Sequence, residues 1–158
     1  MNRRLLVSSA SAVSALLLSQ RSFAHHGWSS FDEAHPIYLT GKVKSLTWQN
    51  PHVELVITVP ADASIPMSLP HRRVPPQAIP VNGTKILASA KLPKKRGDWT
   101  LELSPMTRIE AWKVAKPNIG DGVEAVGYTF KNEAGASIMR VEYYIIGDNM
   151  YGLRSMPA

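Results

Sequence analysis

Histidines are the side chains of this sequence best suited to metal chemistry. His25 and His26 are adjacent, and His35 and His52 follow them along the chain. If the chain is cleaved after Ala24, His25 carries a free α-amine with a pKa of about 8 beside its imidazole. The amine and the imidazole can together chelate a divalent ion. Copper(II) prefers such nitrogen donors in a tetragonal plane. The sequence therefore predicts a copper site formed by His25, His26 and His52, with His35 as a helper.

Oxygen and sulfur donors are a secondary part of this hypothesis. Asp32 or Glu33 would serve as an axial ligand or would orient a histidine. Thioethers suit only copper(I), and the candidates are scattered along the chain: Met67, Met106 and Met150.

A competing interpretation needs no metal. Paired histidines at a chain terminus often have no ligand at all. The ring of His52 can likewise have a purely structural role, as the hydrogen-bond partner of a nearby carbonyl group. His71 lies in a Pro-rich region and is expected to be solvated.

The first 24 residues have the pattern of a cleavable export signal. Arg3 and Arg4 precede a short apolar run, and a small-x-small ending closes at Ala24. The arginine pair also resembles a twin-arginine signal, so both export routes stay open. We therefore predict a periplasmic or secreted protein without an integral membrane segment after cleavage, because no apolar run reaches the roughly 20 residues of a membrane span.

Composition narrows the function classes. Residues 1–24 contain three arginines and no acidic residue, so their removal lowers the net charge from +6 to +3. This modest charge, spread along the chain, argues against nucleic-acid binding. The absence of cysteine excludes disulfides, thiolate metal sites and thiol nucleophiles.

The sequence also contains no recognisable motif of catalytic residues. No Gly-x-Ser-x-Gly motif occurs, and Glu54, Glu102 and Glu142 are predicted at outward-facing strand positions. We therefore predict a binding protein and not an enzyme. Oxygen chemistry at a copper-bound N-terminal histidine is the alternative that the same residues leave open.

Alternating apolar and polar residues predict five strands. Residues 40–48 and 53–59 flank the turn signal Asn50-Pro51, residues 98–103 form a third strand, and two more strands surround a turn at 132–135. Ser104 and Pro105 predict the start of a short helix after the third strand. Residues 60–97 contain seven prolines and predict a surface excursion, within which Asn82-Gly83 suggests a short hairpin.

This order of elements predicts a mainly β fold. Five strands with one short helix between the third and fourth are the layout of a small OB-like barrel. The expected organisation is a signal peptide at 1–24, an N-terminal arm at 25–39 and a barrel domain at 40–158 with the Pro-rich excursion at 60–97. Five large apolar residues are predicted to fill the interior: Trp48, Trp99, Val126, Met139 and Ile145.

Several motifs resemble a family of secreted bacterial proteins described as domain of unknown function 6152. They are the Ala-His-His start at 24–26, Leu-Thr-Gly at 39–41, Trp-x-Asn-Pro-His at 48–52, Trp-x-x-Glu at 99–102 with Pro105, and Gly-Asp-x-Val-x-x-x-Gly at 120–127. The Pro-rich excursion and the closing segment, where Met150 and Tyr151 follow Asp148-Asn149, depart from the family pattern. The resemblance implies a periplasmic small β-barrel and no established activity.

A second function class is a metal-free accessory module. OB-folds bind oligosaccharides through aromatic residues on a strand face. The candidates on the last two strands are Tyr128, Phe130, Tyr143 and Tyr144, although one member of each pair could face the core. The ligand would then be a saccharide or a periplasmic partner protein.

Overall fold

The computed structural model describes residues 27–158. It contains six strands, two short helices and three single turns of 3-10 helix. The strands are β1 (Ile37–Thr47), β2 (Glu54–Val59), β3 (Gly97–Glu102), β4 (Gly122–Tyr128), β5 (Ile138–Ile146) and β6 (Asn149–Gly152), the helices are α1 (Gly83–Ser89) and α2 (Met106–Ala111), and the 3-10 turns are Trp28–Ser30, Leu69–His71 and Lys131–Glu133.

The first five strands close into a barrel. β1 pairs with β2 and β4, β2 with β3, and β4 with β5, all antiparallel, while β3 and β5 close the barrel through a parallel pairing. Helix α2 lies between β3 and β4 in the chain. The predicted mainly β fold, a five-stranded OB-like barrel with a helix after the third strand, is therefore confirmed. The extra strand β6, which was not predicted, follows a turn at Gly147 (φ +57°) and pairs with β5.

Strand β1 takes part in both halves of the barrel because it is long and bent. It has 11 residues, begins at Ile37, and its pairing with β2 shifts register between Val43 and Ser45. Gly41 lies where a Cβ atom would overlap the carbonyl group of Thr58 on β2. A bulge and a close approach of two backbones at glycine are the usual means of curving a strand around a barrel.

The barrel interior is apolar and fully packed. Trp99, Leu101 and Met139 have at most 1% of their surface exposed there. Trp99 and Met139 confirm the sequence prediction, and Trp48 packs partly buried at the edge of the same cluster.

Val126 and Ile145 were wrongly assigned to the interior. They are buried on the outer face of the sheet, in a second cluster with Tyr38 and Tyr143. Along β4, Val123 and Ala125 point inward, so strand alternation turns Val126 outward. The prediction failed because it assumed that the outer face meets water.

The Pro-rich excursion covers that outer face. Leu69 and Leu87 from the excursion are buried against the second cluster. The predicted hairpin at Asn82-Gly83 is wrong, because Asn82 instead caps helix α1, its side-chain oxygen accepting from the Lys85 N–H at 3.1 Å. Asparagine is favoured both in tight turns and at helix N-caps, and here the cap is formed.

Candidate metal site and its surroundings

The paired histidines lie outside the described residues. The described part of the chain begins at Gly27, so it includes neither His25 nor His26, nor the predicted export signal at 1–24. Trp28, two residues after His26, is the first large side chain that the structure places.

Two guanidinium groups lie over the indole of Trp28. The Cζ atom of Arg154 lies 4.2 Å from the centre of a Trp28 ring, and that of Arg140 lies 5.1 Å away. Tyr128 contacts the indole edge-on, with ring centres 6.2 Å apart. Such cation–π contacts are most favourable when they are partly desolvated. Trp28 therefore attaches the beginning of the arm to the outer face of β4 and β5.

Three glutamates balance the arginines around Trp28. Glu142 accepts from Arg154 Nε at 2.7 Å, Glu33 pairs with the same guanidinium at 2.5 Å, and Glu102 lies 3.5 Å from Arg140. Glu102 and Glu142 are 6% and 0% exposed. Both occupy outer-face positions, as predicted, but the arm and the C-terminal segment exclude water from them.

Burial and neighbouring charges shift the pKa values of the ionisable side chains around Trp28. Burial raises the pKa of Glu142, and the opposing effects of Arg154 and Gln77 do not cancel it. Burial lowers the pKa of Arg154, but Glu142 and Glu33 outweigh it and raise that pKa overall. The pKa of Arg108 is lowered by burial and by the nearby charge of Arg140.

His52 lies two residues before β2, next to Val53, whose side chain is buried in the interior. Within β2, Leu55 and Ile57 also point inward, so alternation directs Glu54 toward the outer face. In the strand register, Glu54 on β2 is opposite Glu102 on β3, and Glu102 is opposite Arg140 on β5. Strand β2 therefore lies two strand spacings, or about 10 Å, from β5.

A chain of hydrogen bonds joins the His52 segment to the Trp28 segment. The N–H of Val53 donates to the Ser104 carbonyl at 2.9 Å, and the Ser104 hydroxyl donates to the Leu153 carbonyl at 2.9 Å. Leu153 directly precedes Arg154, which stacks on Trp28.

The other sequence candidates do not join His52. The Nδ1–H group of His35 donates to the Asp32 carboxylate at 2.8 Å, and the His35 side chain is 80% exposed and lines a groove. His71 is exposed on its 3-10 turn, as expected. Across residues 27–158, no group of three or more histidine, aspartate or glutamate side chains could hold a metal ion.

The aromatic binding face predicted on the last two strands is wrong. Tyr128, Tyr143 and Tyr144 are at most 2% exposed, and Phe130 is half-buried and stacks on Phe31 with ring centres 5.1 Å apart. Tyr144 lies in the barrel interior and Tyr143 beneath the excursion. Both faces of these strands are covered, so three of the four aromatic residues have no surface to offer a ligand.

Sequence reasoning did not find the cluster around Trp28. Its members come from the arm, β3, β5 and the C-terminal segment, which are far apart in sequence. The one local signal was the placement of glutamate and arginine within the apolar strand β5, at Arg140 and Glu142, where an exposed pair would have been the simpler explanation.

Comparison with protein families gives a match over the N-terminal part of the chain. The model of a family described as "Family of unknown function (DUF6152)" matches residues 13–66. The match covers strands β1 and β2 and the histidines at 25, 26, 35 and 52. No curated protein and no solved structure matches the chain. Over residues 13–66 the chain thus carries the sequence pattern of DUF6152, the family that its motifs indicated.

Proposed function

We propose that the mature protein is an exported copper-binding protein, not an enzyme, and that His25, His26 and His52 supply the nitrogen donors. The observation that carries the proposal is the attachment of Trp28 to the outer face of the barrel beside Arg154, because Leu153 is joined through Ser104 to Val53, the residue after His52. Two residues of chain span at most about 7 Å, so this attachment limits how far His26 can be from that face.

The donor set favours copper(II). An N-terminal amine and neighbouring imidazoles form small chelate rings, and a further imidazole completes a tetragonal nitrogen plane. His35, which contacts Asp32, serves as the helper donor. Because that contact uses Nδ1, Nε2 of the exposed ring stays available.

The charges near Trp28 do not oppose a cation. Arg108, Arg140 and Arg154 carry three positive charges, and Glu33, Glu102 and Glu142 carry three negative ones when ionised. Opposite charges this close largely cancel at the distance of a neighbouring site.

Export of the chain rests on the signal pattern at 1–24 and completes the proposal, since the α-amine of His25 exists only after cleavage. Within the described part of the chain, no helix is long and apolar enough to cross a membrane.

The proposal predicts tight copper(II) binding by protein that begins at His25. Titration followed by electron paramagnetic resonance should show nitrogen hyperfine structure, because imidazole and amine nitrogens bind in the equatorial plane. One extra residue before His25 should abolish the tight site, and His52→Ala should weaken binding by about tenfold or more. His71→Ala, which removes an exposed imidazole on the excursion, is the matched control and should change nothing.

A variant of the attachment tests the geometry separately. Trp28→Ala should leave the N-terminal chelate intact but remove the His52 contribution, so its spectrum should match that of His52→Ala. Weak binding that none of these changes affects would overturn the copper proposal. It would leave the alternative, a periplasmic module that binds a partner protein or saccharide without metal.

A further inference from the structure

A groove lies beside the N-terminal arm. Its volume is about 400 Å³, which falls in the range of small-molecule sites. Three segments form its walls: residues 32–37 of the arm, residues 89–94 after α1, and residues 129–133 after β4. Neither His52 nor Trp28 lines it.

The floor of the groove is apolar and fixed. Phe130 and Leu92 line it with Pro36 and Ile37. The ring of Phe130 stacks on Phe31 at 5.1 Å with an interplanar angle of 12°, which holds the phenyl group in place. A flat or compact apolar body can therefore be accommodated without reordering side chains, which keeps the entropic cost of binding low.

The acidic residues of the groove already have partners. Asp32 accepts from the Ala34 N–H at 3.2 Å and contacts His35 at 2.8 Å. Both carboxylate oxygens of Glu133 accept from the Lys94 N–H, at 2.9 and 3.0 Å.

The two lysines of the groove are not engaged in ion pairs. Lys91 and Lys94 line the groove, and their ammonium groups form no ion pair with any residue in the range 27–158. A ligand that brings a negative charge would find two cationic donors at the edge of an apolar floor.

A buried hydroxyl in the wall is also unsatisfied. Thr129 lines the groove, is 4% exposed, and its Oγ1 has no hydrogen-bond partner among the described residues. An unpartnered buried hydroxyl is costly, and rotation about χ1 could turn this one toward a bound acceptor.

We propose that this groove binds a small carboxylate with an apolar body about the size of a phenyl ring. The apolar part contacts Phe130 and Leu92, and the carboxylate accepts hydrogen bonds from Lys91 and Lys94. His52 does not line the groove, whereas His35 and Asp32, the secondary candidates of the copper hypothesis, do, so the site is tested on metal-free protein.

The test is calorimetric titration of metal-free mature protein with 3-phenylpropanoate, beside the uncharged analogue 3-phenylpropan-1-ol. The acid should bind at least about tenfold more tightly than the alcohol, and amide resonances of residues 129–133 should shift. The double substitution Lys91→Gln with Lys94→Gln should weaken binding of the acid by about tenfold or more. The control pair Lys42→Gln with Lys116→Gln makes the same change in net charge at exposed positions that do not line the groove, and should bind as the wild type does.

Failure of the acid to bind, or equal binding of acid and alcohol, would overturn the proposal. Equal weakening by the two double substitutions would also overturn it, because it would assign the effect to net charge and not to the groove. Since the titration contains no metal, either result leaves the copper proposal to be decided by its own experiment.

Discussion

At the scale of single residues, Glu142 is a buried carboxylate whose partners offset only part of the cost of burial. Its carboxylate is 0% exposed, yet it accepts hydrogen bonds from Arg154 and Gln77 at 2.7 and 3.2 Å. A buried ion is tolerated when paired and hydrogen-bonded, and removal of one partner typically costs about 3–5 kcal/mol. Trp28 covers the Arg154 guanidinium, so the same contacts hold the arm on the barrel.

Glu142 also predicts a pH dependence of stability. Because burial raises its pKa in the folded state, the folded protein holds this proton more tightly than the unfolded chain does. Relative to Glu142→Gln, the wild type should therefore gain stability as the pH falls from neutral through the raised folded pKa, and the gain should be complete below the ordinary value of 4.5. Urea unfolding of both proteins between pH 4 and 8 measures the difference.

The comparison isolates Glu142 because all other carboxylates are common to both proteins. Glu110→Gln, at an exposed position on α2, serves as the control and should show a difference from wild type that barely depends on pH. A wild type that loses stability relative to Glu142→Gln as the pH falls would contradict the assigned direction of the shift.

At the scale of elements, helix α1 is stabilised mainly by packing against the outer face of the sheet. It has seven residues, which is too short to be stable alone in water. Gly83 at its start lies against Val74 and the Tyr143 hydroxyl so closely that a Cβ atom would overlap both. Glycine here serves the close approach of helix and sheet.

Gly83→Ala should therefore destabilise the protein by about 1–3 kcal/mol, as overpacking of a filled site does. Gly122→Ala on β4 is the matched control, because a Cβ atom there meets nothing within 4 Å, and its effect should stay within about 0.5 kcal/mol. Thermal or urea unfolding measures the loss of stability in each of the two variants. Equal effects would show that α1 does not depend on this contact.

At the scale of the whole molecule, the excursion is part of the core. It buries an apolar outer face formed by Tyr38, Val126, Tyr143 and Ile145, which the five-stranded barrel alone would expose. The two ends of the excursion meet across the sheet, since Val59 pairs with Gly97. A short turn could therefore join β2 to β3 directly.

Replacement of residues 60–96 by an Asn-Gly turn should leave a barrel that self-associates and binds a hydrophobic dye, because large exposed apolar patches promote association. Sedimentation velocity and dye fluorescence measure both effects. The same deletion with Val126→Thr and Ile145→Thr should associate less. A deleted chain that stays monomeric and binds no dye would show that the excursion does not cover an apolar face.

The sequence alone determined the barrel, the position of α2 and the family motifs. The strands follow from their two-residue period, and the helix follows the Ser-Pro signal, although Pro105 is the N-cap and the Ser104 hydroxyl instead donates to the Leu153 carbonyl. The family model matches residues 13–66. Trp99 and Met139 were predictable as interior residues because both lie on strands that are apolar on their inward side.

Only the tertiary structure decided what covers the outside of the barrel. Val126, Tyr143 and Glu142 occupy outer positions that a local pattern assigns to solvent, yet the excursion, the arm and the C-terminal segment bury them. Alternation along a strand separates two faces but cannot say which of them meets water, because that depends on segments distant in sequence. For the same reason the attachment of Trp28 by Arg140 and Arg154, which brings the arm to the outer face of the barrel, emerged only from the folded chain.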